Sequence, residues 1–148
     1  MKAMKTVEKR EEIPSAEEEA RRAYSRAVKI LAAGDNTSRA LVRKLTARGF
    51  SRESAEAAAE RLVREGYIRE EELLLRQLGI YAKRMWGPKK FIPNLIEKGF
   101  VRADIEAALR RARVEGVYDS EAIKAALLAD LPTEDSAARR AWLYKHGF

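Results

Sequence analysis

The chain has 148 residues, 36% of them charged, and carries a formal net charge of +7 at neutral pH. It contains no cysteine, which excludes disulfide bonds and thiolate catalysis, and no apolar run approaches the ~20 residues that span a bilayer. The N-terminus lacks the apolar core of a secretory signal, so we expect a soluble, cytoplasmic protein. The net positive charge favours polyanions or acidic protein surfaces as partners.

The first part of the sequence predicts a tail and three helices. Residues 1–14 mix charges without periodicity, which predicts a mobile tail. Ser15 followed by Glu18 forms a capping box, and Asn36 or Thr37 and then Ser51 can cap the next two helices. Glycines at 34, 49 and 66 end the three helices of this first unit, residues 15–67. Its predicted inward positions are Tyr24, Val28, Leu31, Leu41, Leu45, Ala55, Ala58, Ala59 and Leu62.

Residues 68–118 repeat this plan as a second unit. Three acidic residues, 70–72, suit the first turn of the fourth helix, Gly87-Pro88 starts the fifth, and Gly116 closes the sixth. Pro93 predicts a kink, or a helix that begins only there, because proline deletes a backbone hydrogen bond. The predicted inward residues are Leu74, Leu78, Tyr81, Phe91, Leu95, Ile105, Ala108, Leu109 and Ala112, with Leu73, Ile80 and Ile92 beside them.

Residues 119–148 predict an incomplete third unit of two helices. Asp119 caps the first, and Thr133 caps the second after a break at Leu131-Pro132. The predicted core positions here are Ile123 and Leu127, and the last helix carries Trp142 and Leu143. No segment shows sustained alternation, so the expected fold is all-α, with about eight helices in tandem three-helix repeats.

The repeat is also visible in the helix ends. Residues 45–50 (LTARGF), 95–100 (LIEKGF) and 143–148 (LYKHGF) share leucine, two variable residues, a basic or imidazole side chain, glycine and phenylalanine. The phenylalanines lie 50 and 48 positions apart, a spacing typical of helical repeat arrays. Because they follow helix-ending glycines, we expect Phe50, Phe100 and Phe148 to pack in the core.

The sequence offers little for catalysis. The one histidine, His146, cannot by itself form a multi-histidine metal site or a catalytic triad, and we expect it to be solvated. No phosphate-binding glycine loop occurs, and the acidic clusters lie at helix starts, where capping explains them. We therefore expect no catalytic residue, no metal and no cofactor, and a protein that is not an enzyme.

Basic residues concentrate in the middle of the chain. Residues 76–102 carry seven lysines and arginines and one acid, a net charge of +6. Four of these cations bracket Met85–Pro88, and Lys89 and Lys90 lie at the start of a helix, where lysine gains nothing from the helix dipole. We expect an anion to bind these two lysines together with the free helix N–H groups. Trp86 could stack on a base, anchor a protein interface or serve as a core or hinge residue.

A second basic group lies on the second helix. Arg39 and Arg43 are four residues apart and share a face, and Arg48 follows in the last turn. Taken singly, each is better explained by a solvated charge that complements the helix C-terminus.

These motifs together resemble the RecX family of regulators of the RecA recombinase. The resemblance covers roughly residues 20–148 and is carried by residues 37–50 (TSRALVRKLTARGF), 65–68 (EGYI), 87–92 (GPKKFI) and 95–100. It implies an elongated, curved row of repeats that binds in the groove of a RecA–DNA filament and limits strand exchange, ATP hydrolysis and filament growth. The implied partners are the RecA filament and single- or double-stranded DNA, bound by a monomer. The implied RecA- or DNA-binding residues are Arg39, Arg43, Lys44, Arg48, Lys83, Arg84, Lys89, Lys90 and Lys98.

Two other functions fit the same sequence. A three-helix unit also resembles helix-turn-helix modules, so the chain could bind DNA directly, although no helix carries the cluster of Asn, Gln and Arg that reads base edges. The third possibility is a helical scaffold for another partner.

Overall fold

A computed structural model describes residues 15–148, and the predicted all-α fold is confirmed. The predicted tail, residues 1–14, lies outside the described residues. The described part contains eight helices and no strand: α1 (Ala16–Ala33), α2 (Ser38–Ala47), α3 (Arg52–Arg64), α4 (Glu70–Lys83), α5 (Pro88–Glu97), α6 (Arg102–Val114), α7 (Ser120–Ala129) and α8 (Ser136–Lys145). The described residues divide into two compact units, one that ends at Ile68 and one that runs from Arg69 to Phe148. The finer division of the second unit at residue 118 stays a prediction.

The first three helices begin at side-chain caps, as their sequences predict. The hydroxyl of Ser15 accepts a hydrogen bond from the N–H of Glu18 at 3.2 Å, and Ser51 does the same for Ser54 at 3.1 Å. Between the two candidates for α2, Thr37 is the cap, accepting from the N–H of Ala40 at 3.0 Å. Each such cap stabilises its helix by about 1 kcal/mol.

Small residues form most of the first unit's core. Its buried residues are Ala23, Ala27, Leu41, Leu45, Ala55, Ala58, Ala59, Leu62 and Ile68. The predicted inward face of α1 was wrong at Val28, which is 43% exposed, while Ala23 and Ala27 are fully buried. Helical spacing fits the larger residues as well as the alanines, but α1 turns Ala23 and Ala27 inward because a small side chain lets two helices approach closely.

Polar contacts on the surface tie α1 to α3. The carboxylate of Glu19 accepts hydrogen bonds from the N–H and hydroxyl of Ser51, both at 3.1 Å, and from the hydroxyl of Ser54 at 2.9 Å. These bonds, led by that from the Ser51 backbone, lower the pKa of Glu19 below its ordinary value. One turn along α1, the hydroxyl of Tyr24 donates to the carboxylate of Glu65.

Aromatic rings dominate the second unit's core. The ring of Tyr81 stacks on Phe91 at 4.9 Å and on Trp86 at 5.5 Å, and Tyr118 meets Phe91 edge-on at 5.3 Å. The buried set is Leu74, Leu78, Tyr81, Phe91, Leu95, Phe100, Ile105, Ala108, Ala112, Tyr118, Ile123 and Leu127. Ile80, expected to widen the inward face of α4, is instead 37% exposed.

Three further expectations need correction. Helix α5 starts at Pro88 and runs through Pro93, so it does not begin at the second proline. Asp135, not Thr133, caps α8 by accepting from the N–H of Ala138 at 2.9 Å, while the Thr133 hydroxyl accepts from the Asp135 N–H. Of the three repeat phenylalanines, Phe100 is buried, while Phe50 and Phe148 are half-buried and pack against the edge of their unit's core.

Candidate functional site

All nine predicted binding residues are exposed, but the structure groups them differently from the sequence. Arg39, Arg43, Lys44 and Arg48 belong to the first unit, and Lys83, Arg84, Lys89, Lys90 and Lys98 belong to the second. Within each unit, some of these cations meet at a groove and others do not.

In the first unit, Lys44 and Arg48 line a groove of about 530 Å³ at the C-terminal ends of α1 and α2. Arg39 and Arg43, which share a different face of α2, are not among the lining residues. Lys44 is held in place because its ammonium donates to the side-chain oxygen of Asn36 at 2.6 Å. The predicted basic face of α2 is therefore two faces, of which one opens on a groove.

Two cations of this groove were missed in the sequence. Arg26 and Lys29, three residues apart on α1, line it opposite the residues of α2. Their spacing places them on one helical face. No sequence signal indicated that this face meets the end of α2, because the meeting depends on tertiary packing.

In the second unit, cations surround Trp86. The guanidinium of Arg84 lies 5.3 Å from the centroid of the Trp86 ring, and the ammonium of Lys90 lies 4.4 Å from it. The same ring stacks on Tyr81 and packs against the core, so the core interpretation of Trp86 holds. The half-buried indole therefore lies beside two exposed cations, whose charge suits an anionic ligand.

A smaller groove of about 380 Å³ lies beside this tryptophan. Its lining residues are Tyr81, Arg84, Trp86, Asn94, Glu97 and Lys98. The ammonium of Lys98 donates to the side-chain oxygen of Gln77 at 3.1 Å. The structure thus joins Arg84 and Lys98, which lie 14 positions apart in the sequence, and leaves Lys83 outside the lining.

The N-terminus of α5 does not present free N–H groups, contrary to expectation. The N–H of Gly87 donates to the carbonyl of His146 at 2.6 Å, and that of Lys89 donates to the carbonyl of Gly147 at 2.9 Å. The contact requires glycine on both sides: a Cβ on Gly87 would overlap the Gly147 carbonyl, and one on Gly147, whose φ is +98°, would lie 2.6 Å from the Lys90 Cβ. An anion at this helix end can therefore contact the lysine side chains but not those amides.

Aromatic rings accompany the lysines around this contact. The ammonium of Lys89 lies 5.8 Å from the Tyr144 ring, and that of Lys124 lies 5.8 Å from the ring of Phe148. His146 was expected to be solvated, but it is half-buried, with Nδ1 2.9 Å from the Trp142 carbonyl oxygen.

Within the described residues 15–148, no cluster of three or more His, Cys, Asp or Glu side chains is arranged to hold a metal ion. No helix there has both the length and the apolar character needed to cross a membrane.

The described residues define an all-α protein with exposed cations gathered at two grooves, one in each unit. No protein-family model matches the chain. Three curated relatives, each named regulatory protein RecX, are similar to it: 36% identical over 89 residues in Pseudomonas savastanoi pv. phaseolicola, 36% over 88 in Pseudomonas syringae pv. tomato and 34% over 88 in Pseudomonas fluorescens. The matched region is 60% of this chain and spans 57% of the length of each relative.

A solved structure supports the same likeness. The crystal structure of a regulatory protein RecX superposes with a TM-score of 0.67, covering 88% of this chain and 68% of the other, at 21% identity. The resemblance to RecX predicted from the sequence is confirmed, and at that identity the structural match establishes the fold.

Proposed function

We propose that this chain regulates the RecA recombinase by binding in the groove of the RecA–DNA filament. By occupying that groove, it restrains ATP hydrolysis, strand exchange and filament growth. The proposal assigns it no catalytic residue and no cofactor, since its effect comes from binding alone. Support comes from the relatives named regulatory protein RecX, with which it shares about 35% identity over 60% of its length.

The observation that carries the proposal is the cationic surface around Trp86. Arg84 and Lys90 flank this ring, and Lys89 lies on the same helix as Lys90 beside the Tyr144 ring. A positive surface is attracted to DNA phosphates and acidic side chains, and this attraction speeds docking and weakens as salt screens it. A filament that contains DNA presents many such phosphates along its length.

Binding to filaments and to naked DNA at the same salt concentration tests the proposal. The affinity for RecA–DNA filaments is expected to exceed that for the same DNA without RecA. If RecA adds nothing to the affinity, the chain is a direct DNA binder and the proposal is wrong. Direct binding alone would follow salt with a slope of about −0.9 per phosphate contacted on duplex DNA.

Charge reversal at α5 sharpens the test. Replacing Lys89→Glu and Lys90→Glu is expected to weaken filament binding on the order of 10-fold or more, because two attractive contacts become repulsive. The matched control is Arg110→Glu with Arg113→Glu on α6, two exposed arginines outside both grooves. If the α5 double variant binds filaments as tightly as the control double variant does, the proposal is wrong and the chain is a scaffold for another partner.

Direct DNA binding remains the second candidate because of the groove in the first unit. Four of its lining residues are cations, Arg26, Lys29, Lys44 and Arg48. A basic groove of this kind contacts phosphates, which positions a protein on nucleic acid without reading its sequence.

A further inference from the structure

The turn of α5 that carries Lys89 and Lys90 is weakly secured by its own helix. Its N-cap residue, Gly87, has no side chain that could accept a hydrogen bond from the first N–H groups. One turn further on, Pro93 has no N–H to donate to the carbonyl of Lys89. The first turn of α5 therefore depends on bonds from outside the helix.

The C-terminal turn of α8 supplies such bonds. The N–H of Gly87 donates to the carbonyl of His146 at 2.6 Å, and that of Lys89 donates to the carbonyl of Gly147 at 2.9 Å. The two helix ends also attract each other, because the carbonyl end of a helix is partly negative and the N–H end is partly positive. The end of α8 thus replaces the side-chain cap that α5 lacks. We call these four residues the clasp.

Both clasp glycines are required by a close approach. Gly87 has a φ of −89°, which any residue adopts, yet it is buried, and a Cβ there would overlap the Gly147 carbonyl. Gly147 has a φ of +98°, and a Cβ there would lie 2.6 Å from the Lys90 Cβ. Gly49, the corresponding glycine of the first repeat motif, has a nearly equal φ of +96° but open space where a Cβ would lie. The two helix ends therefore differ in contact and not in backbone conformation.

Helix α8 also contacts the two lysines directly. The backbone of Gly147 lies against the Cβ of Lys90, and the ammonium of Lys89 lies 5.8 Å from the centroid of the Tyr144 ring. An ammonium near the face of a ring is attracted to it. Helix α8 therefore restrains both the backbone of this turn and the side chain of Lys89.

Helix α8 is itself held by partly buried groups. The Nε1–H of Trp142 donates to the carbonyl of Leu127 at 2.9 Å, and Trp142, Leu143 and Phe148 pack against the core. All of α8 lies within the described residues, and none of its side chains is buried. An element with little buried surface opens at a lower free energy than the whole fold does. The clasp can therefore open while the core stays intact.

We propose that the clasp positions Lys89 and Lys90 for binding, which makes Gly87 and Gly147 positioning residues of the cationic surface around Trp86. The clasp deepens the proposed function, on which it rests for the identity of the ligand. With the clasp closed, the first turn of α5 is ordered before the ligand arrives, so binding does not have to order it. With the clasp open, the turn frays and both lysines must be ordered on binding. Helix α8 thereby sets the affinity without contacting the ligand.

The affinity for RecA–DNA filaments tests the clasp. Gly147→Ala and Gly87→Ala each prevent the close approach, and each is expected to weaken binding about 5- to 10-fold, because two lysine side chains then lose freedom on binding. The matched control is Gly49→Ala, which puts the same strain on a left-handed helix end but breaks no contact. It should change the affinity less than about 2-fold. Circular dichroism confirms that each variant is folded.

A double-mutant cycle separates positioning from a general loss of structure. In a chain that carries Lys89→Gln and Lys90→Gln, Gly87→Ala is expected to change filament affinity less than about 2-fold, because the clasp acts through those two lysines. A merely structural defect would weaken binding by the same factor whether or not the lysines are present. That result would overturn the clasp.

Hydrogen exchange measured by NMR on the free chain tests the clasp without a ligand. In the wild type, the amides of Gly87 and Lys89 should be protected, and Gly147→Ala should reduce their protection by about 10-fold or more while Leu95, in the interior of α5, keeps its own. Gly49→Ala should leave all three amides unchanged. Amides at 87 and 89 that are unprotected in the wild type, or equally affected by both substitutions, would overturn the clasp.

Failure of the clasp and failure of the regulator are separable when the same variants are also measured on naked DNA. A wild type that favours filaments while Gly147→Ala and Gly49→Ala bind them alike overturns the clasp alone. A wild type that binds filaments no more tightly than naked DNA overturns the regulator, and the clasp is then supported only if Gly147→Ala weakens binding to naked DNA more than Gly49→Ala does. A chain that binds neither overturns both.

Discussion

The two units solve the same packing problem with different side chains. In the first, Ala27 and Ala59 are almost completely buried, and helices approach closely over small residues. In the second, Phe91 is fully buried in contact with Tyr81 and Tyr118, and aromatic rings fill the space between helices. A shared pattern of caps, leucines and closing glycines therefore specifies helix order, while the size of the inward residues sets the spacing of the helices.

The units also treat their cations differently. In the first, Arg26 and Lys29 line an open groove without a partner among the described residues. In the second, Lys89 and Lys90 lie over aromatic rings, at 5.8 and 4.4 Å from their centroids. A ring holds an ammonium in place without neutralising it, so both arrangements leave positive charge for a ligand. The first suits a chain of phosphates, and the second suits a ligand that also contacts rings.

The largest expected effect comes from the aromatic core. Phe91→Ala should lower the free energy of unfolding by about 3–5 kcal/mol, because it removes a fully buried ring and leaves a cavity. Urea denaturation measures the loss. Phe50→Ala, at a half-buried ring of the first unit, is the control and should cost clearly less. Equal losses would show that the second unit does not depend on its central ring.

The alanine core should resist enlargement. Ala59→Leu on α3 is expected to destabilise the chain by about 1–3 kcal/mol, because a buried leucine forces apart helices that meet over a methyl group. Ala57→Leu, an exposed position on the same helix, should change stability little. A chain that tolerates both substitutions equally would contradict the close packing of the first unit.

The smallest effect concerns Tyr118 and depends on pH. Its hydroxyl donates to the Trp86 carbonyl at 2.6 Å, and burial raises the pKa of Tyr118 to about 12. Tyr118→Phe should cost about 1 kcal/mol near neutral pH, since the bond is lost. Tyr67→Phe, at a ring that is 69% exposed, is the control.

The pH dependence of this tyrosine has a definite sign. Because the folded pKa lies above the ordinary value of 10.0, the neutral phenol stabilises the fold fully below pH 10, and this contribution is lost as the pH rises through 12. Wild type should therefore lose more stability between pH 10 and 12 than Tyr118→Phe does. Parallel losses in the two proteins would show that the phenol does not titrate in this way.

Local features of the fold could be predicted from the sequence because they depend on neighbouring residues. Ser51 caps α3 through its own hydroxyl, and Thr37 caps α2 in the same way. The inward face of α1 could not be predicted, since Val28 and Ala27 both satisfy a helical period and only the partner helix decides between them. The cap of α8 was missed because Thr133 and Asp135 both suit that role.

The part of the candidate site that depends on neighbouring residues could also be predicted from the sequence. The basic turn around Trp86 is contiguous in the sequence, and the structure keeps it together. The groove of the first unit joins Arg26 to Arg48, which only tertiary packing brings near each other. The contact between Gly87 and Gly147 joins residues even farther apart in the sequence, so nothing local indicated that the α5 amides are occupied.

The DNA-dependent ATPase of RecA, measured over a range of concentrations of this chain, is the most direct test of the account. A protein that acts by occupying the filament should slow ATP hydrolysis well below stoichiometric amounts, and Lys89→Glu with Lys90→Glu should weaken that effect more than Arg110→Glu with Arg113→Glu does. An ATPase rate that is unchanged even at one chain per RecA would contradict the account.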